Sequence, residues 1–127
     1  MSFLDKIFGG KQEESQSKSF WNVIESEKDL EDAIKKSYSG KIAIFKHSTS
    51  CFISKTVLKN FEKEIEEAQE HGATLYFLDL LTHRNISNKI AEDFGIRHES
   101  PQLIVIENGN EINNASHQDI TLSQITL

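Results

Sequence analysis

Residues 41–54 read KIAIFKHSTSCFIS, and they set the organisation of the whole chain. The run Lys41–Lys46 is short and mostly apolar, which is typical of a strand buried on both faces of a sheet. A polar loop occupies 47–50, and from Cys51 apolar residues recur at helical spacing as far as Ala68. The sequence therefore predicts a buried strand, a short loop and a long helix, with Cys51 in the first turn of that helix.

Strands and helices alternate on both sides of this stretch. Ser26 and Asp29 resemble a capping box that opens the preceding helix. Gly72 is expected to follow the end of the long helix as its C′ residue, and Asn108-Gly109 predicts a hairpin. The predicted order is β-α-β-α-β-α-β-β-α, an α/β fold with a central mixed sheet flanked by helices. Its strands are expected at 20–24, 41–46, 73–79, 103–106 and 111–115.

Length and composition describe one folded domain. A chain of 127 residues with 37% hydrophobic and 27% charged residues belongs with globular proteins and is too short for two ordinary domains. Gly9-Gly10 interrupts a short apolar stripe, and no apolar residue follows before Phe20. We therefore predict an N-terminal segment and polar linker at 1–19 and the domain at 20–127, with Trp21 in its core.

Charge and hydropathy narrow the class of partner. A formal net charge of -6 disfavours binding to nucleic-acid phosphates. No apolar run approaches the roughly 18 residues of a membrane span, and the N-terminus lacks the apolar region of a secretory signal. One cysteine cannot close an internal disulfide, and the five histidines show no metal-ligand spacing. We expect a cytoplasmic protein with no nucleic-acid or membrane partner and no metal.

Cys51 is the chemically distinctive residue. At a helix N-terminus, free backbone N–H groups and the helix dipole favour an anion such as a thiolate. Ser54 stands one turn later, where its hydroxyl is expected to donate to the thiolate, although it cannot resolve a mixed disulfide as a second thiol would. Thr49 or Ser50 is expected to cap the helix and add a second donor. A buried structural cysteine is the alternative, which the polar loop disfavours.

Two basic residues precede this loop. Lys46 or His47 could place positive charge near Cys51 and tune the ionisation of its thiol, and His47 could protonate a leaving thiol. The alternative is a solvent-exposed His47 without such a role, and this is the arrangement we expect.

The segment at 47–54, HSTSCFIS, resembles the active-site segment of the YtxJ family of the bacillithiol system, the monothiol bacilliredoxins. The pattern of that family is close to H-S-T-x-C-P-I-S. The likeness extends over most of the domain and includes Phe20-Trp21, the strand at 41–46, Leu78-Asp79 and the ESPQ segment at 99–102.

The resemblance implies a thioredoxin-like fold and a thiol–disulfide oxidoreductase. Its reaction would remove bacillithiol from S-thiolated cytosolic proteins: Cys51 would attack the mixed disulfide, release the protein and hold bacillithiol. A second low-molecular-weight thiol or a reductase would then release it. No bound cofactor is implied, and bacillithiol or another low-molecular-weight thiol is the co-substrate.

The resemblance also implies where substrate lies. In thioredoxin-like folds a proline such as Pro101 is cis and faces the cysteine, and the backbone of Ser100 can then pair with an extended peptide. Substrate contacts are therefore expected from Ser50, Phe52, Ser100 and Pro101.

Phe52 departs from the family pattern, which has proline at this position. Phenylalanine restores a backbone N–H donor and adds an apolar surface beside the sulfur. This departure keeps open a second interpretation, a non-enzymatic thioredoxin-like module that binds or senses thiols. A thiol peroxidase is less favoured, because such enzymes usually place an arginine near the thiol and Arg84 and Arg97 lie far along the chain.

Overall fold

A computed structural model of the protein describes residues 19–68 and 70–126. Apart from Ser19, the predicted N-terminal segment at 1–19 therefore lies outside the described residues. The five strands are β1 (Trp21–Val23), β2 (Lys41–His47), β3 (Ala73–Asp79), β4 (Gln102–Glu107) and β5 (Asn110–Ser116). The helices are α1 (Glu27–Lys36), α2 (Phe52–Glu67), α3 (Arg84–Phe94) and α4 (Ser123–Thr126), with a 3-10 turn at His117–Asp119.

The strands form one mixed sheet in the order β1-β3-β2-β4-β5. Strands β1 and β2 run parallel to β3, whereas β4 is antiparallel to β2 and β5 is antiparallel to β4. The parallel pair β2–β3 needs a crossover, and α2 supplies it. The predicted α/β fold and its element order are confirmed; the 3-10 turn is an addition that the sequence pattern did not predict.

The central strand β2 divides two apolar cores. Because successive side chains of a strand point to opposite faces, Phe45 packs toward α2 and α4 while Ile44 packs toward α1 and α3. The first core includes Trp21, Phe45, Phe61, Leu103 and Ile125, and the second includes Ile24, Leu30, Ile44, Ile86 and Ile104. Trp21 is thus a core residue as predicted. The same alternation places Lys46 and His47 on opposite faces of the sheet.

The sequence predicts the start of α1 correctly but not the end of α2. Ser26 caps α1 as expected, since its Oγ accepts the Asp29 N–H at 3.1 Å. The expected C′ position of Gly72 is wrong: α2 ends at Glu67 with Ala68 in an extended conformation. Ile65 is the last buried residue of the apolar stripe of α2, so no packing anchors a further turn.

The predicted hairpin between β4 and β5 is confirmed. Asn108 and Gly109 both have positive φ, 54° and 75°, as a two-residue type I′ turn requires. The backbone N–H of Asn108 donates to the Ser37 carbonyl at 2.8 Å, which ties the turn to the end of α1. Within the described residues, no helix has both the length and the apolar character needed to cross a membrane.

Candidate functional site

Cys51 occupies the N-cap of α2, one residue before the first helical turn where the sequence placed it. Its backbone is extended (φ -103°, ψ 122°), and its N–H donates to the Ser48 carbonyl at 3.2 Å. The side chain is half-buried and forms no disulfide. Cys51 therefore stands at the end of a 16-residue helix where the backbone N–H groups of the first turn lack helical partners and favour an anion, although its side chain makes no capping hydrogen bond.

The expected capping role of Thr49 and Ser50 is wrong. Both residues lie exposed in the turn between Ser48 and Cys51, and Cys51 itself takes the cap position. The physical reason is the Cys51 N–H to Ser48 carbonyl bond, which closes the turn and delays the helix until after the cysteine. Ser50 directly precedes Cys51 in the turn, and its Oγ lies 3.4 Å from that of Ser48.

Ser54 is fully buried, and its hydroxyl is not bonded to the thiol. Its Oγ accepts the Ser48 backbone N–H at 3.0 Å and lies 2.8 Å from Nδ1 of His47. No hydrogen bond joins Ser54 to Cys51 in the described part of the chain, so the expected bond to the thiolate is corrected. The hydroxyl instead satisfies two buried polar groups that would otherwise lack a partner.

The expectation that His47 is exposed is also wrong. Strand β2 runs one residue further than predicted, so His47 pairs with Asp79 in the parallel ladder and is only 5% exposed. Its ring centroid lies 5.5 Å from that of Phe77 and 6.4 Å from that of Phe45. Burial lowers the pKa of His47 from 6.5, which Asp79 opposes and Lys55 reinforces. Burial therefore favours the neutral imidazole.

The side chain of Lys46 lies on the face of the sheet opposite to His47. Its side chain is fully buried, with Nζ donating to the Ser87 carbonyl at 3.1 Å and lying 3.4 Å from Nδ1 of His98. Desolvation lowers the pKa of Lys46 to about 8. This cluster of buried Lys46 and Ser87 with the exposed His98 was missed by the sequence analysis, although a lone lysine inside an apolar strand was a visible signal.

The Ser100–Pro101 peptide bond is cis and directly precedes β4. Gln102, the first residue of β4, pairs with Lys46, so the cis bond lies beside the end of β2 from which the loop to Cys51 departs. The Pro101 carbonyl accepts the His117 N–H at 2.9 Å, which holds this segment to the 3-10 turn. The buried Oγ of Ser100 has no hydrogen-bond partner among the residues described.

Phe52 gives the site an apolar exterior. Its side chain is 80% exposed, and that of Ile53 is 45% exposed. An open groove of about 200 Å³ adjoins them, lined by Phe52, Ile53, Thr56, Val57, Asn60, Gln118 and Ile120. Phe52, which directly follows Cys51 in the sequence, forms part of the wall of this groove. Among the described residues, no three potential ligands cluster closely enough to hold a metal ion.

A mixed sheet, a cysteine at the N-terminus of α2 and a cis proline before β4 together define a thioredoxin fold with a thiol site. A solved structure of a proposed oxidoreductase with a thioredoxin fold matches with a TM-score of 0.71 and 28% identity, over 83% of this chain and 89% of that one. Thioredoxin from Malassezia sympodialis matches with a TM-score of 0.63 and 21% identity over 83% and 90%. Thioredoxin from Fasciola hepatica gives 0.62 and 18% over 76% and 86%.

The chain belongs to the monothiol bacilliredoxin family, BrxC, whose sequence model matches residues 22–125. Family and fold together support a thiol oxidoreductase role. With a single cysteine in the sequence, an oxidised form of this protein cannot be an internal disulfide.

Proposed function

We propose that the protein removes bacillithiol from S-thiolated proteins in the cytoplasm through a mixed disulfide on Cys51. One observation carries the proposal: a single, half-buried cysteine at the N-cap of α2, with a serine one turn later where a second thiol would stand. Such a site can accept a thiol from a disulfide and must pass it to an external thiol.

The exchange is balanced in two steps. The Cys51 thiolate attacks the bacillithiol sulfur of the mixed disulfide, a new S–S bond forms, and the protein thiolate leaves and takes a proton from water. Cys51 then carries bacillithiol. A second bacillithiol, or another low-molecular-weight thiol, attacks that disulfide as its thiolate, which releases the symmetrical or mixed disulfide and regenerates the Cys51 thiolate.

Four residues around the sulfur are proposed as substrate contacts. Ser50 is exposed in the turn before Cys51, and Phe52 lies exposed after it. The cis Ser100–Pro101 bond lies beside the end of β2, where the backbone of Ser100 is suited to pair with an extended client peptide. Phe52 and its groove would cover apolar side chains next to the thiolated cysteine of the client.

The exposed aromatic side chain also favours a second candidate, a module that binds thiolated proteins without turnover. A turnover assay separates the two. A bacillithiolated model protein in excess is mixed with the wild-type chain and free bacillithiol, and the protein thiol released is counted per molecule of added chain. The proposal requires many turnovers for wild type and none for Cys51→Ser. One equivalent or less released by wild type would exclude the enzymatic proposal and leave the binding module.

A further inference from the structure

His98 lies exposed on the surface, but one nitrogen of its ring faces the buried side chains of Lys46 and Ser87. Its Nδ1 lies 3.4 Å from Lys46 Nζ and 3.3 Å from Ser87 Oγ. Because the pKa of Lys46 is about 8, its amine is mostly charged at pH 7, and a charged lysine can only donate hydrogen bonds. Nδ1 is therefore the acceptor, which places the proton of the neutral imidazole on Nε2.

The proton on Nε2 is available to a ligand. Nε2 lies across the ring from Nδ1, and it has no hydrogen-bond partner within residues 19–68 and 70–126. Burial, and then the positive charges of Lys46 and Arg84, lower the pKa of His98 from 6.5. These charges disfavour a further proton on the ring, and they make its outward N–H a better donor to an anion.

Arg84 supplies a second donor close to this imidazole. It is the first residue of α3, and Ser87 lies three positions later on the same face of that helix. Ser87 contacts His98, and the charge of Arg84 acts on the same ring. The side chain of Arg84 is exposed and forms no ion pair in the part of the chain that the structure describes. Its guanidinium can donate two parallel hydrogen bonds, which suits a carboxylate.

Glu99 is the acidic residue whose charge acts on His98 and would oppose an anion there. Its carboxylate already has cationic partners, since it lies 3.6 Å from Arg97 Nε and 3.5 Å from His117 Nε2. The positive charge around His98 is therefore not cancelled, in a chain whose net charge is -6. Such a small positive patch suits one small anion better than an extended acidic surface.

The patch lies at the same edge of the sheet as the cysteine. Strands β2 and β3 are parallel, and their carboxyl ends lead into the loop to Cys51 and the connection to α3. The Leu80 N–H donates to the His47 carbonyl at 3.0 Å, which joins these two connections. His98 itself lies two residues before the cis bond of Ser100. This edge is where open α/β sheets bind their ligands.

We propose that His98 and Arg84 bind a carboxylate of the low-molecular-weight thiol that reacts at Cys51, with His98 donating from Nε2 and Arg84 from its guanidinium. The inference rests on the proposed function, because it states how the co-substrate is held. Thiols such as glutathione and bacillithiol carry carboxylates. An acidic residue of a client protein offers the same chemistry, so the experiments must separate these two sources.

Succinate tests the site without any thiol chemistry. The ring-proton titrations of the wild-type histidines are followed by NMR with and without succinate, at an ionic strength held equal with sodium chloride. We expect succinate to raise the pKa of His98 by at least about 0.3, because a bound carboxylate favours the charged ring. In Arg84→Gln this rise should shrink to less than half. His71, which precedes β3 at the opposite edge of the sheet, is the internal control and should not respond. The ¹⁵N shifts of neutral His98 should place its proton on Nε2.

Two small thiols test whether the carboxylate belongs to the co-substrate. Cys51 is loaded with a hydroxyethylthio group from 2-hydroxyethyl disulfide, and the release of this group by mercaptosuccinate or by 2-mercaptoethanol is followed by intact mass. Arg84→Gln and His98→Asn should each slow release by mercaptosuccinate at least about threefold and leave release by 2-mercaptoethanol unchanged. Asparagine keeps an acceptor for Lys46 but lacks the outward N–H. Lys36→Gln, which removes an exposed charge at the end of α1, is the control and should match wild type with both thiols.

Three results would overturn the inference. The first is a His98 titration that succinate does not change, and the second is a neutral His98 whose proton lies on Nδ1. The third is release by mercaptosuccinate at the wild-type rate in both variants, with a loss confined to the reaction of Cys51 with a disulfide-bonded acidic peptide. That result would assign the patch to client proteins. Failure of the proposed function would appear separately, as absent turnover with a bacillithiolated protein while succinate still raises the pKa of His98.

Discussion

The hydroxyl of Ser54 lies 2.8 Å from Nδ1 of His47, at the position one helical turn after Cys51 where a second cysteine could resolve a disulfide. In this chain the residue at that position instead holds the loop before Cys51 in place through hydrogen bonds. The serine accepts the Ser48 N–H and partners the imidazole, and the thiol that would compete with external thiols is missing.

Replacing Ser54 by Cys should convert the chemistry from monothiol to dithiol. The two sulfurs would lie one turn apart at the start of α2, so a bacillithiol adduct on Cys51 should collapse to an internal disulfide. After reaction with a bacillithiolated protein, mass analysis should show the variant lighter by two hydrogens and free of adduct. A stable bacillithiol adduct on the variant would mean that the two side chains do not meet.

The same substitution should also weaken the reduced fold. Sulfur is a poor acceptor, so the Ser48 N–H and the His47 imidazole lose a good partner in a buried site, at a cost of about 1–2 kcal/mol. Urea unfolding of the reduced Ser54→Cys chain measures this, with Ser39→Cys as the control. Ser39 is exposed and its hydroxyl bonds only the Lys36 carbonyl, so that variant should stay within about 0.5 kcal/mol of wild type.

Replacing Lys46 by Met should stabilise the protein at neutral pH. The folded pKa of about 8 lies below the ordinary value of 10.5, so below pH 8 both states carry the charge and its burial costs stability in full. Between pH 8 and 10.5 the unfolded chain binds more protons, and stability rises with pH. We expect Lys46→Met to raise the free energy of unfolding by roughly 2 kcal/mol at pH 7. The stability of this variant should no longer rise between pH 8 and 10.5. A destabilised variant would show that the bonds to Ser87 and His98 outweigh the desolvation.

Mild acid should destabilise the fold through His47. Its folded pKa lies below 6.5, so as the pH falls past 6.5 the unfolded chain takes up the proton first and stability is lost. Thermal unfolding of wild type between pH 7.5 and 5.5 should show a falling midpoint, and His47→Gln should show a smaller fall. Equal slopes in the two proteins would exclude His47 as the group responsible.

Sequence reasoning predicted the fold well because its signals are local. The apolar run of β2, the stripe of α2 and the Asn108-Gly109 turn each specify their own element, and the alternation of strands and helices specifies a parallel core. The site depends on details that pattern cannot supply. One more residue in β2 buries His47, and its bond to Ser54 joins positions seven residues apart that carry no spacing signal. Lys46 likewise finds Ser87 and His98 through tertiary packing.

Phe52 should matter for protein substrates and not for small ones. Its exposed ring lines the groove that follows Cys51 in the sequence. Phe52→Ala should therefore raise the KM for a bacillithiolated protein several-fold, because removing the ring loses about 1 kcal/mol of apolar binding energy. The rate with bacillithiol disulfide should change little. Ile112→Ala on β5, which removes an exposed apolar side chain that does not line the groove, is the control. Equal effects of the two variants would exclude a docking role for Phe52.

The most direct test of the account is the intact mass of the wild-type chain after brief mixing with a bacillithiolated protein, with no free thiol present. We predict a gain of one bacillithiol, located on Cys51 by peptide mapping, together with an equal amount of released protein thiol. Adding free bacillithiol should then remove the adduct. An unmodified Cys51 beside a substrate that stays thiolated would contradict the proposed mixed disulfide.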